Sequence, residues 1–339
     1  MIGVTGAGPV PASDPLDAQL AVVDELTSPP ADEGIGIPFE VQAVAEPGPF
    51  SNAVGRAVSL LDQLYAETGP HGWKLADRPG RDLARAQSRR EEHLAALEIA
   101  LAGYTGALTI GSLGPISLAA ELYTARADRV IADPAAVTDL AHALAEGIRE
   151  HIAAVRSRVP GISQMTLLLD EPLLAPALVG ALPNFSGMFR IRALDGDAAR
   201  ETLGTMIEGV KDPAVVHLGP SAVGLEMVSQ CGVAGIGIDL PPWDEARWAS
   251  LAQVVESGTP IWWGMPAPAL SQCAGPQIVA LADQLWQPWR RIGLTGSMLL
   301  PSVLFDRDAG RTHSMSQVRD HLASLVRVSH ILAERTSAG

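Results

Sequence analysis

A closed (β/α)8 barrel, the TIM-barrel form of the α/β class, is the fold this sequence predicts over residues 1–339, as a single domain. Three observations predict it. Strand-like apolar runs alternate with helix-like stretches along the chain, eight such strands can be counted, and no Gly/Ser- or Pro-rich linker divides them. A doubly wound open sheet would alternate similarly, but Gly6-Ala7-Gly8 lacks the third glycine of a dinucleotide fingerprint.

The first unit is Ile2 to Thr5, then a helix opened by Ser13-Asp14-Pro15, with Leu16, Leu20, Val23 and Leu26 at helical spacing. Gly34 to Val44 reads as the second strand, followed by a helix from Asn52 to Ala66 and a loop-like stretch from His71 to Gly80. A charged, Ala/Leu-rich helix spans Asp82 to Ala102. The third strand, Leu108 to Ile110, closes on Gly111, and Asp133-Pro134 opens a helix running to about Arg158. Met165 to Leu169 is almost wholly apolar, as suits a parallel strand buried on both faces. Met188 to Arg192 reads as a small extra strand before a helix from Ala198 to Val210. The later strands are Ala214 to His217, Gly235 to Ile238, Pro260 to Trp263 and Ser297 to Leu300; helices are expected near Leu225, at Glu245 to Glu256, Pro276 to Arg290 and Ser316 to Glu334.

Composition narrows the function classes. The chain has 24 Lys and Arg against 38 Asp and Glu, a net charge of −14, which argues against nucleic acid and anionic membrane as partners. No apolar run is long enough to span a bilayer, and the N-terminus lacks the pattern of an export signal. Two cysteines, Cys231 and Cys273, fit a reducing compartment, so a cytoplasmic location is expected.

In a barrel the residues that end each strand share one rim, so Gly6, Glu40, Gly111, Asp170, His217, Asp239, Met265 and Ser297 should converge there. Asp170-Glu171-Pro172 places two acids at the end of a buried strand, either gripping a substrate ammonium group or capping and pairing structurally. His217 ends an apolar run one strand from Asp239; a His and an Asp alone fall short of the four ligands of a zinc site. Glu121, after Gly114-Pro115, reads as the exposed acid of a helix start, Trp262-Trp263 as core and wall, and Cys231 as a small buried hydrophobe. Arg190 and Arg192 suit either an anionic ligand or a surface strand.

At several of these motifs the chain resembles the cobalamin-independent methionine synthase family, in particular its C-terminal catalytic barrel and short single-barrel relatives. The matching pieces are TGAGP (5–9), GPFSNAVGR (48–56), GPISLAAEL (114–122), LLLDEPLL (167–174), VVHLGP (215–220) and GIGIDL (235–240). The resemblance implies a barrel whose zinc ion lowers the pKa of homocysteine's thiol so that the thiolate takes a methyl group from a folate donor. It implies that Asp170 and Glu171 lie in the substrate-binding segment, with Asp170 on the homocysteine amino group. Gly6 and Ala7 would lie against the carboxylate, Glu40 or Glu46 would supply a second acid, and His217 and Asp239 would be metal ligands.

The chain departs from the family pattern at the metal. Gly219 stands where a cysteine ligand belongs, Asp239 replaces a longer glutamate, no cysteine follows the predicted eighth strand, and no histidine follows the seventh at Gly264 to Pro268. Losing both thiolates removes the ligands that favour zinc, and Cys273 is the substitute the sequence offers. Three readings follow: methyl transfer to homocysteine or another small thiol, a catalytically depleted barrel that binds a small amino-acid-like ligand or serves as a partner subunit, and a uroporphyrinogen-decarboxylase-like lyase.

Overall fold

The computed structural model describes residues 1–28, 35–46, 48–125, 128–266, 276–307 and 314–338. Seven parallel strands lie side by side in the order β1 (Gly3–Gly6), β11 (Val303–Asp306), β10 (Ile261–Met265), β9 (Gly235–Asp239), β8 (Ala214–His217), β7 (Ile162–Asp170) and β6 (Gly106–Leu113). Residues 35–40 join the two ends of this sheet. The Val4 N–H donates to the Ile35 carbonyl and Ile37 N–H to the Val4 carbonyl, while Thr109 N–H donates to the Pro38 carbonyl and Glu40 N–H to that of Thr109. The predicted second strand is thus this eighth stave, interrupted because Pro38 has no N–H to give. Beyond it, β3 (Gln42–Ala43) pairs with β2 (Pro9–Val10) above the rim.

Strand side chains alternate between two cores, as the period of an extended chain requires. Leu168, Val215, Trp262, Val303 and Phe305 pack together with Ala7, forming the barrel interior. Their neighbours Leu167, Leu169, Val216, Trp263 and Leu304 belong to the outer core, under the surrounding helices. The Trp263 ring stacks on Trp248 with centroids 5.6 Å apart, so the two adjacent tryptophans are core, one on each side of the barrel wall.

Helices between the strands follow the sequence reading closely. α1 (Pro15–Thr27) is capped by Asp14, whose carboxylate accepts from Leu16 and Asp17. α3 (Arg81–Ala100), α5 (Pro134–Arg158), α7 (Gly196–Val210), α8 (Leu225–Ser229) and α9 (Glu245–Glu256) occupy the expected places. Short α4 (Pro115–Glu121) and α6 (Leu174–Leu178) follow β6 and β7, and the helices Pro276–Arg291 and Met315–Ala338 close the chain. No described helix is long and apolar enough to cross a membrane.

Three expectations are corrected. The helix placed at Asn52 to Ala66 stops at α2 (Ala53–Val58), and Tyr65–Gly69 and Gly72–Ala76 form a β-hairpin, β4 and β5. Its anchor is Trp73, buried edge-on against Phe50 and donating its indole N–H to the Pro49 carbonyl at 2.8 Å. Residues 296–299 form a 3-10 turn, and the last barrel strand is β11, beyond Pro301, paired on both sides by β1 and β10. Met188 to Arg192 contains no strand, merely an isolated bridge between Pro183 and Arg190.

Candidate functional site

The cavity at the mouth of the barrel is built on the strand ends one step above the interior core. Parity places Asp170 on the same face as Leu168 and His217 on the same face as Val215, so both point inward. In the β7–β8 register Asp170 lies beside His217, and in the β8–β9 register His217 lies beside Gly237. A Cβ at Gly237 would stand 2.9 Å from that of His217, so the glycine makes room for the ring.

His217 is held from both sides by carboxylates. Its Nδ1 is 2.8 Å from Asp170 and its Nε2 is 3.0 Å from Asp239. Arg307, just past β11, pairs with the other oxygen of Asp239 at 3.2 Å. Phe305 meets the imidazole edge to face at 5.0 Å. Burial opposes charging of the ring, but the hydrogen bonds and charges of Asp170 and Asp239 overcome it and raise the His217 pKa to about 9. At neutral pH the ring is an imidazolium that donates both protons.

A second histidine–carboxylate pair lies deeper. Glu40, at the end of the broken stave, is contacted by His151 of α5 at 2.9 and 3.0 Å, and both are buried. Burial raises the Glu40 pKa, yet His151, with His93 and Arg90 further off, brings it below the usual carboxylate range. Arg56 of α2 also lines the cavity and gives one N–H to the Ser51 carbonyl. Its burial lowers its pKa to about 10, against the pull of Asp170.

Of the residues singled out from the sequence, Ala7, Glu40, Gly111, Asp170 and His217 line this cavity. Asp239 reaches it through His217. Gly6 instead packs on Phe39, whose ring would stand 2.4 Å from a Cβ there. Glu46 is exposed outside the cavity, with its carbonyl accepting from Ser51. Met265 is buried, and Ser297 is exposed in the 3-10 turn away from the rim. Glu171 faces away: fully buried, it accepts the N–H groups of Ile116 and Ser117 at 2.9 and 2.7 Å, at the start of α4. Burial pushes its pKa up to about 7 although these bonds oppose the rise. Glu121 is exposed, and Arg190 lies on an exposed loop, bonded to the Ala181 carbonyl.

Sequence reasoning missed Arg56, His151 and Arg307. His151 carried a usable signal, since it falls on the apolar stripe Leu144, Ile148, Ile152 of α5. Asp306, which ends β11, and His321 form a further buried pair at 3.1 Å, missed because the strand was placed too early.

The donor set does not fit a zinc ion among the described residues. A zinc-binding imidazole offers a bare nitrogen, and both nitrogens of His217 face carboxylates. Gly219 supplies no thiolate, the chain after β11 continues Arg307 without a cysteine, and Cys231 is buried in contact with Arg200 and Met227 carbonyls. No group of three or more potential ligands is assembled among the described residues. Cys273 lies outside them.

The fold and the site together define a class: a parallel α/β barrel whose strand ends carry a charged, ligand-sized cavity. The chain matches a solved structure of a B12-independent methionine synthase from Shewanella sp. W3-18-1, in complex with selenomethionine, over 100% of both chains, with a TM-score of 0.65 and 12% identity. At the level of fold, this is a methionine-synthase-like barrel. No family model matches the sequence, and no curated protein matches it either.

Proposed function

We propose that this chain binds a small amino-acid-like molecule, of the class of homocysteine and methionine, in the barrel mouth, and that it does so without zinc-thiolate chemistry. The observation that carries the reading is the Asp170–His217–Asp239 arrangement. It holds the histidine protonated while Asp170, half exposed to the cavity, keeps its second oxygen free of described partners. That oxygen suits a ligand ammonium group, and Ala7, which also lines the cavity, lies where the family resemblance puts the ligand carboxylate. The fold similarity over both full chains to a protein crystallised with selenomethionine supports the same ligand class. A second reading, methyl transfer to homocysteine or another small thiol, draws on that similarity too and requires a thiol-activating group other than His217. The lyase alternative rested on Arg190 and Arg192; of these, Arg190 is exposed on its loop and neither residue lines the cavity.

Calorimetric titration with L-homocysteine and L-methionine tests the proposal, beside metal analysis of protein purified without a metal-affinity tag. Saturable binding that weakens at least tenfold in Asp170→Asn, with no stoichiometric zinc, is the expected result. No binding of either amino acid would overturn it, and stoichiometric zinc lost in His217→Ala would restore the metalloenzyme reading.

A further inference from the structure

We infer that the same cavity holds an anion subsite formed by Arg56 of α2 and Arg89 of α3, so that the natural ligand carries an acidic group beyond its amino-acid end. This rests on the reading above that the mouth takes an amino-acid-like ligand. Every other charged group of the cavity wall has a partner. His217 is held by Asp170 and Asp239, Arg307 by Asp239, and Glu40 by His151. Arg90 donates to the Ser59 carbonyl and lies 4.0 Å from Glu91, although its buried Nε has no partner.

Arg56 and Arg89 are different. Both line the cavity, and no acid lies within ion-pair distance of either among the described residues. Arg56 makes its one bond to the Ser51 carbonyl, and Arg89 makes no hydrogen bond or ion pair among the described residues. An acidic surplus of 38 against 24 gave this chain ample carboxylates to pair them. Elsewhere its arginines do pair, as Arg156 does with Asp212 and Arg158 with Glu91. An arginine facing a partly desolvated cavity with no carboxylate in ion-pair contact is costly to hold, and a ligand anion lowers that cost. Guanidinium groups present paired N–H donors that match carboxylate, sulfonate and phosphate oxygens.

Calorimetry can separate this subsite from the amino-acid site. The probes are inorganic phosphate alone, L-methionine, and three amino acids with an acidic far end: L-glutamate, L-homocysteate and O-phospho-L-homoserine. At least one acidic amino acid should bind tenfold or more tightly than L-methionine, and which one does so distinguishes carboxylate, sulfonate and phosphate. Arg89→Gln, on a half-exposed helix position, should abolish that advantage and weaken phosphate binding at least tenfold; Arg56→Lys should weaken both less. Asp170→Asn should weaken all the amino acids without weakening phosphate. The subsite is refuted if no acidic amino acid outcompetes methionine, or if Arg89→Gln leaves phosphate binding intact. Phosphate binding that depends on Arg89 with no amino acid bound would uphold the subsite and overturn the amino-acid reading.

Discussion

The double clamp on His217 makes a quantitative prediction about pH. A histidine with an ordinary pKa of 6.5 raised to about 9 in the folded chain gains about 3 kcal/mol of stabilisation in its charged form. Asp170 is half exposed to the cavity, so screening reduces this to about 2 kcal/mol. The sign follows from the direction of the shift: the contribution is complete below pH 6.5, declines as pH rises, and is gone above about 9. Urea unfolding of the wild type and His217→Gln between pH 5.5 and 10 measures it, and the difference between the two curves removes other groups that titrate in the window, Glu171 among them. The difference should shrink by about 2 kcal/mol from the acid to the alkaline end, and the ring should titrate near pH 9 by NMR. The same proton opposes metal: at pH 7 its displacement costs about 3 kcal/mol, roughly a hundredfold in affinity. A ring that titrates below pH 7, or a difference independent of pH, would refute the clamp.

Other substitutions probe the frame around the site. Glu171→Ala leaves the N–H groups of Ile116 and Ser117 buried without acceptors and should cost about 2–4 kcal/mol in denaturant unfolding; no loss would mean that α4 is held by packing alone. Asp306→Ala strips the buried His321 of its partner and should cost about 3–5 kcal/mol, measurable as a lower Tm. Gly237→Ala places a methyl group against His217, so the ring should leave one carboxylate and titrate at lower pH than in the wild type. Gly219→Cys, at φ +66° with nothing within 4 Å of its Cβ, should cost about 1–2 kcal/mol for backbone alone and leave the zinc content at background.

What could be read in the sequence depended on whether local pattern or distant pairing decides an element. β8 and β9 were legible because each is a short apolar run ended by one polar residue, His217 or Asp239. β11 was not: Ser297 to Leu300 and Val303–Phe305 are two apolar runs separated by Pro301 and Ser302, and pairing with β1, some 300 residues away, chooses between them. The hairpin at Tyr65–Ala76 escaped for a similar reason, since its stability lies in Trp73 reaching Pro49. In the site, strand-end residues such as Asp170 and His217 could be named, whereas Arg56 and His151 reach the cavity from helices. Glu171 was misjudged by adjacency: in extended backbone, neighbours face opposite sides, and once Asp170 faces the cavity Glu171 must turn outward.

Gly219 ties the turn after β8 to the clamp on His217. Its left-handed backbone bends the chain sharply after β8, and its carbonyl accepts the Asp239 N–H at 2.9 Å. The turn that carries no ligand sulfur is therefore hydrogen-bonded to the residue whose carboxylate holds His217 protonated. A cysteine at 219 would strain this turn, and with it the backbone anchor of Asp239, while the imidazole would remain occupied on both sides. A zinc site here would require releasing Asp239 from His217 and further ligands that the described residues do not assemble. The ends of β8 and β9 thus form one hydrogen-bonded unit around His217, and Asp170 faces the cavity beside it.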